Sequence, residues 1–321
     1  MSEKSGEKRS IIPALFIEAD NIPQAHYRAT KRVFEEGIEI RTQYDRKNEA
    51  GEFIDPPSRD ATVTVFISNP FAQPRYPVVS YCEIGKYIAE ILGVKDHLVV
   101  PFDKLKQGIK TGNVPTIWPY TYSQRLTAYP LTDGETINQL DLLVDRLAVN
   151  PITRRAVATT RVPEVDNHLK EDLPCLGEVH LRCTEDEDRM YLHMRTFWRS
   201  RDLFKAWHDN VIALTFLQQI LAHKLEKKTG REVAVGSYCD ISTSLHLYGQ
   251  DITEKGVVKY IELGEEKVLA RAMNSQKAAQ RLVIPQLEKL VNENEQWKFG
   301  DEQINQTKQL IEDIKSGRLI V

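Results

Sequence analysis

The chain has 321 residues, with 43 Lys and Arg against 46 Asp and Glu and a net charge of −3, so it can bury a sizeable core in one or two domains. That balance offers no bulk attraction to nucleic acid or to an anionic membrane, and no apolar run reaches membrane-spanning length. Cys82, Cys175, Cys183 and Cys239 lack CxxC spacing and the eight histidines lack an HExxH pattern, so neither a disulfide framework nor a structural metal is expected, and a reducing, cytoplasmic setting is.

Residues 1–10, "MSEKSGEKRS", are polar and mixed in charge; they read as a flexible tail and not as a signal or transit peptide. "IPQAHYRATKRVFEEG" has helical apolar spacing and ends at Gly37, and "DATVTVFISN" alternates as a strand does. "PVVSYCEIGKYIAEILG" predicts a helix closed by Gly93, and the Gly- and Pro-rich residues 107–123 predict a long loop. "TINQLDLLVDRLAVNP" predicts an amphipathic helix stopping before Pro151. Strands follow in "RRAVATTRV", "LGEVHLRC" and "RMYLHMRTFWRS", with a hairpin at "TEDEDR". Residues 203–230 predict a long, central apolar helix capped by Gly230, and "EVAVGSYCDISTSLHLY" returns to strand. From about Gly264 the chain reads as helical and charged, broken at Pro285. Strands and helices mix without a βαβ rhythm, so the expected class is α+β with a mixed sheet layered with helices. No GxGxxG or GxxxxGK[ST] loop is present, which argues against a Rossmann or P-loop nucleotide site.

Arg59, Arg154, Arg155 and Arg199 stand where strands begin or end, and with Ser200 they could clamp an anion, because guanidinium groups match phosphate oxygens. Each alone is more often a solvated surface charge. Their order along the chain is more specific. Thr-Arg-Arg precedes a strand and then Leu-Pro-Cys; Arg-Ser-x-Asp follows, then an Asn at the head of a long apolar helix, then His-Leu-Tyr.

In that order the chain resembles the thymidylate synthase family, including its pyrimidine-nucleotide hydroxymethylase relatives, from about Tyr122 to Tyr248. The resemblance implies that Cys175 is a nucleophile adding to C6 of a pyrimidine, with Arg199 beside it and Arg199 and Ser200 on the phosphate. It implies that Arg154 and Arg155 cross a homodimer interface, built on a sheet face, to the other subunit's phosphate. Arg59 would be a further phosphate arginine on an N-terminal loop. Asn210 would pair with the O4/N3 edge of the base, His246 and Tyr248 would hold the sugar hydroxyl, and Asp202 would serve both base and pterin. Tyr122 would belong to the proton relay and Trp118 to the cofactor wall. Either Glu83 or Glu90 would be the glutamate acting near O4, and the residues leave that choice open. The implied reaction is one-carbon transfer to C5, dUMP to dTMP, using 5,10-methylenetetrahydrofolate or a related methylene-tetrahydropterin. A dUMP, dCMP or CMP hydroxymethylase is the alternative, and a non-catalytic nucleotide-binding protein is the reading from another class.

The chain departs from the family in places. Leu-Pro-Cys-Leu replaces the usual Leu-Pro-Pro-Cys-His, which we read as a one-residue deletion that keeps the strand's inward faces in register. "AWHDN" puts Trp207, His208 and Asp209 near the expected base and cofactor wall, and Asp209 leaves cytosine open, whereas Asn210 favours uracil. Beyond Gln250 the resemblance ends, so "GRLIV" has no assigned job. The expected organisation is a tail (1–10), a catalytic domain (11–263) and a helical extension (264–321) packed on the same domain. Cys82, Cys183 and Cys239 are expected in the core.

Overall fold

A computed structural model describes residues 11–321 except 80–82, 115–117, 133, 170–172, 254–255 and 294–296. The expected tail and Cys82 therefore lie outside the described residues.

β1 (Ala14–Ala19) buries alternate residues and leads into α1 (Ile22–Glu36), which is capped by the Asn21 side chain accepting the Gln24 N–H at 3.0 Å. β2 (Ile38–Ile40) and β3 (Ser58–Ile67) follow. α2 (Ile84–Ile91) is shorter than the helix expected over 77–93. The loop expected over 107–123 is a correction: α3 (Phe102–Thr111) occupies its first part and α4 (Tyr122–Thr127) its last. Gly108 is buried within α3, and Gly112 closes that helix at φ 73°, where a side chain would be strained. Its glycines serve packing and capping.

β4 (Tyr129–Pro130), β5 (Thr136–Ile137), α5 (Gln139–Val149), β6 (Val157–Thr159) and α6 (Pro163–Asp166) lead to the hairpin of β7 (Leu176–Glu185) and β8 (Met190–Trp198). After β9 (Arg201–Asp202), α7 (Trp207–Thr229) is buried nearly all round and ends at Gly230, and β10 (Val233–Leu247) returns. The main sheet has eight strands, running β1-β3-β10-β8-β7-β6, with β2 on β3 and β9 on β10. It is mixed: β1 lies parallel to β3 and β10 parallel to β8, while β10 is antiparallel to β3 and β7 to β8. Met190, Leu192, Met194 and Trp198 all point inward from β8, as their alternation predicts.

The C-terminal helices pack on this core. Arg28 of α1 pairs with Glu265 at 2.8 Å, and the Gly85 N–H of α2 donates to Gln286 Oε1 at 2.7 Å. Pro285 does not break the chain as expected. It lies in the first turn of Ile284–Asn292, directly after a π-helical turn at Ala279–Val283 that accommodates its missing N–H. Ile320 exchanges two hydrogen bonds with Gln219 of α7, at 3.1 and 2.9 Å, and Val321 is buried.

Candidate active site

Where β8 and β10 end, beside the start of β3 and the first turn of α7, lies a cavity of about 620 Å³. It gathers Tyr122, Cys175, Arg199, Ser200, Asp202, Asn210, His246 and Tyr248, which the sequence reading had picked from widely separated stretches. Ser58, Asp60, Tyr87, Tyr120, Arg201 and Ser244, which it had not picked, line the same space.

Cys175 stands half-buried at the entrance to β7. Its backbone N–H and that of Leu176 both donate to the Tyr122 hydroxyl, each at 3.2 Å. Arg199, opposite on the hairpin, donates its own backbone N–H to the Cys175 carbonyl at 2.9 Å. Its guanidinium folds over the preceding turn, reaching the Leu173 carbonyl at 2.8 Å and the Pro174 carbonyl at 3.2 Å. Positive charge and thiol thus share one wall. Burial and the neighbouring Cys175 push the Tyr122 hydroxyl up to about 12, so it stays protonated. Cys183 and Cys239 are buried in the sheet, and burial raises both thiols to about 11.

On the facing wall, Asn210 accepts from Arg201 Nε at 3.2 Å and donates to the Tyr87 hydroxyl at 2.8 Å. Arg201 is fully buried, paired to Asp240 at 2.9 Å. Asp202 accepts the backbone N–H groups of Phe204 and Lys205, both at 3.0 Å, and burial lifts its carboxyl to about 6.

At the third side, β3 and β10 bring Asp60 and His246 directly opposite each other. Ser244 donates to Asp60 Oδ2 at 2.9 Å and contacts His246 Nδ1 at 3.2 Å. Tyr248 meets the His246 ring edge-on at 4.6 Å. Burial lowers the His246 pKa and raises that of Asp60. Ser58 Oγ, Asp60 Oδ1 and His246 Nε2 are buried without a hydrogen-bond partner among the described residues. Buried polar atoms are nearly always satisfied, so these three mark where a polar ligand would bind.

Other expected site residues stand elsewhere. Arg59 points away from its strand neighbours Ser58 and Asp60, pairing with Glu39 at 2.8 Å and lying 5.8 Å over the Phe34 ring of α1; strand alternation sends it to the opposite face. α2 offers the cavity Tyr87 rather than a glutamate. Glu83 is exposed at the head of α2 and pairs with Lys86, and Glu90 pairs with Lys95 at 3.0 Å behind Tyr87. Trp118 packs against Trp297, ring centres 6.5 Å apart, and lines no part of the cavity. Arg154 and Arg155 are exposed, outside their own chain's cavity. Trp207 and His208, expected at the wall, turn into the core, with Trp207 donating to Asp240 at 3.0 Å; Asp209 is buried too and does not line the cavity. Only Ala206 and Asn210 of that stretch face the cavity.

The mixed sheet with its thiol-bearing cavity defines a class of α+β proteins, and the comparisons name it. A profile of the thymidylate synthase family matches residues 110–315, more than half of the chain and well past Gln250, where the resemblance was expected to end, and the chain belongs to that family. A Methanosarcina mazei protein named provisionally as a thymidylate synthase is 28% identical over 235 residues, covering 73% of this chain and 90% of the relative. A Methanocaldococcus jannaschii protein with the same provisional name is 34% identical over 136 residues, 41% of this chain. There the chain spans little more than half the relative's length, 56%, and in a Methanosarcina barkeri relative 54%. Among solved structures, the thermostable thymidylate synthase A from Bacillus subtilis has a TM-score of 0.51 at 19% identity, covering 75% of this chain and 84% of that one, which shows a common fold. No helix among the described residues is long and apolar enough to cross a membrane.

Proposed function

We propose that the protein transfers a one-carbon unit to C5 of a pyrimidine nucleotide, converting dUMP to dTMP with 5,10-methylenetetrahydrofolate or a related methylene-tetrahydropterin. The observation that supports this is the shared cavity: a half-buried thiol on one wall, a tethered amide facing it, and unpaired hydroxyl-binding groups on the third side.

In this reading Cys175 Sγ adds to C6 of the base and the C5–C6 electron pair moves to C5, making it nucleophilic. Negative charge gathers on O4, where the Asn210 amide and the Tyr87 hydroxyl donate. After C5 has gained its substituent and lost its proton, the C6–S bond breaks and the thiolate is restored. Arg199 and Ser200 hold phosphate, and His246, Tyr248 and Asp60 hold the sugar. When bound, the pterin supplies the one-carbon unit and, for a methyl product, the hydride. The chain's residues fit such a group: a carboxyl near 6, that of Asp202, can accept or donate a hydrogen bond, and the Tyr44 and Tyr120 rings suit a flat heterocycle.

The functional unit is a homodimer. The sheet face turned away from α1 leaves Phe16 56% exposed, with Phe66, Phe197 and Ile241 partly exposed on the same side. Closing that face against a second copy would let Arg154 and Arg155 reach the partner's phosphate site. A reducing cytoplasm suits a reaction that depends on a free thiol.

A second reading is hydroxymethyl transfer, with water in place of hydride. It is favoured by the C-terminal tail, which is bonded to Gln219 and lines no part of the cavity, leaving the cavity open to water. The deciding experiment is the mass of the nucleotide product formed from dUMP and methylenetetrahydrofolate, repeated with dCMP and CMP. A methyl gain supports the first reading and a hydroxymethyl gain the second. Binding of nucleotide without product, by both the native protein and Cys175→Ala, would leave only a binding protein.

A further inference from the structure

We infer that Arg201 is a positioning residue that fixes which end of the Asn210 amide faces the base, and so makes the site select uracil over cytosine. The inference rests on the pyrimidine-nucleotide reading of the same cavity.

An arginine side chain only donates hydrogen bonds. The Asn210 atom 3.2 Å from Arg201 Nε is therefore the carbonyl oxygen, and the amide nitrogen lies toward Tyr87, 2.8 Å away. Tyr87 cannot set this polarity, because a hydroxyl both donates and accepts. Arg201 can, provided that it cannot move.

Two contacts hold it, and a third bond holds its partner. Its Nη1 is 2.9 Å from Asp240 Oδ2, and the two side chains are 1% and 0% exposed. The same carboxylate oxygen accepts from Trp207 Nε1 at 3.0 Å. The guanidinium carbon lies 3.7 Å over the Trp198 ring. Swinging Arg201 away would leave a buried carboxylate unpaired, which is strongly unfavourable.

The two bases present opposite patterns on this edge. Uracil offers an acceptor at O4 and a donor at N3; cytosine offers a donor at its amino group and an acceptor at N3. The tethered amide keeps one N–H and one carbonyl lone pair free, in the order that suits uracil. Cytosine needs the amide reversed, which would set its NH₂ against Arg201 Nε–H, donor against donor. A site built to pair one pattern rejects the other because its buried groups are left unsatisfied.

The test is calorimetric binding of dUMP and dCMP to the native protein, Arg201→Lys, and the double variant Arg201→Gln with Asp240→Asn, which leaves no buried charge unpaired. The native protein should prefer dUMP by about tenfold or more, the double variant should lose most of that preference, and Arg201→Lys, still a donor, should keep much of it. An unchanged preference in a folded double variant, with both affinities lowered equally, would assign Arg201 a purely structural role and overturn the inference. If the native protein binds neither nucleotide, the pyrimidine-nucleotide reading itself falls, a result distinct from a lost or kept preference. If the double variant does not fold, the crystal structure of the native protein with dUMP decides. The Asn210 atom on Arg201 Nε should also contact N3, with the other atom on O4, and an amide turned away from Arg201 overturns the inference.

Discussion

The hydroxyl of Tyr122 takes two backbone hydrogen bonds, from Cys175 and from Leu176, and so fixes where the thiol leaves the loop and enters β7. Tyr122→Phe removes the acceptor and leaves both N–H groups unpaired. Stability should fall by about 1–3 kcal/mol, the cost of unsatisfied buried groups, as measured by urea unfolding. Under the proposed reaction, turnover should drop more than nucleotide affinity, because Arg199, Asn210 and His246 keep their own supports.

Among the three described cysteines, Cys175 should react first with a soluble alkylating agent at mildly alkaline pH. Cys183 and Cys239 are buried with thiols raised to about 11, whereas Cys175 opens on the cavity. Peptide mass spectrometry after brief iodoacetamide treatment measures the order, and of these three dUMP should slow labelling at Cys175 alone. Faster labelling at Cys183 or Cys239 would contradict the cavity's geometry.

The helix that carries Tyr122 is itself anchored by an ion pair. Arg125 of α4 and Asp166 of α6 lie 2.8 Å apart, both almost fully buried, and Asp166 also accepts the Val162 N–H at 2.7 Å. Asp166→Ala strands a buried guanidinium and should cost about 3–5 kcal/mol in unfolding free energy. Replacing both partners with apolar residues should recover much of that loss.

Asp202 gives a pH dependence of known sign. Burial raises its carboxyl from the usual 3.8 to about 6. Between those values the folded chain holds a proton that the unfolded chain has released, so this group's contribution to stability falls as pH rises through the window and levels off above it. Asp202→Asn keeps an oxygen for the Phe204 and Lys205 N–H groups but does not titrate. The stability difference, native minus variant, should therefore decrease from about pH 4 to about pH 6, read from denaturant midpoints at each pH.

Much of the scaffold was legible from local pattern. Period-two burial announces β3, β7 and β8, and the unbroken apolar stretch of α7 announces a helix surrounded by core. The grouping of Cys175, Arg199, Asn210 and His246 came from the family resemblance that the order of pieces along the chain carries. What stayed hidden depends on contacts between distant segments. Arg201 looks like another surface charge in "RSRD", because its partner Asp240 lies far along the chain in β10. Tyr87 was passed over for two acidic neighbours on α2, since spacing alone does not say which side of a short helix meets the cavity. Arg59 lies outside the cavity for a simpler reason: one step along a strand reverses the side, and Asp60, its neighbour, faces the cavity instead.

That same rule gives the irregularity of β10 its meaning. Asp240 pairs with Val65 and His246 with Asp60, and between Ser242 and Leu245 the register slips by one residue. Both Asp240 and His246 have even numbers, yet the first turns toward Trp207 in the core and the second lies beside Asp60 at the cavity. The bulge absorbs the extra residue, so Leu245 and Leu247 return to the buried side that Asp240 and Ser242 occupy, and His246 keeps the cavity side. Deleting Thr243 or Ser244 would therefore straighten the ladder and leave those faces as they are. A one-residue deletion that the bulge does not absorb would instead turn the downstream side chains inside out.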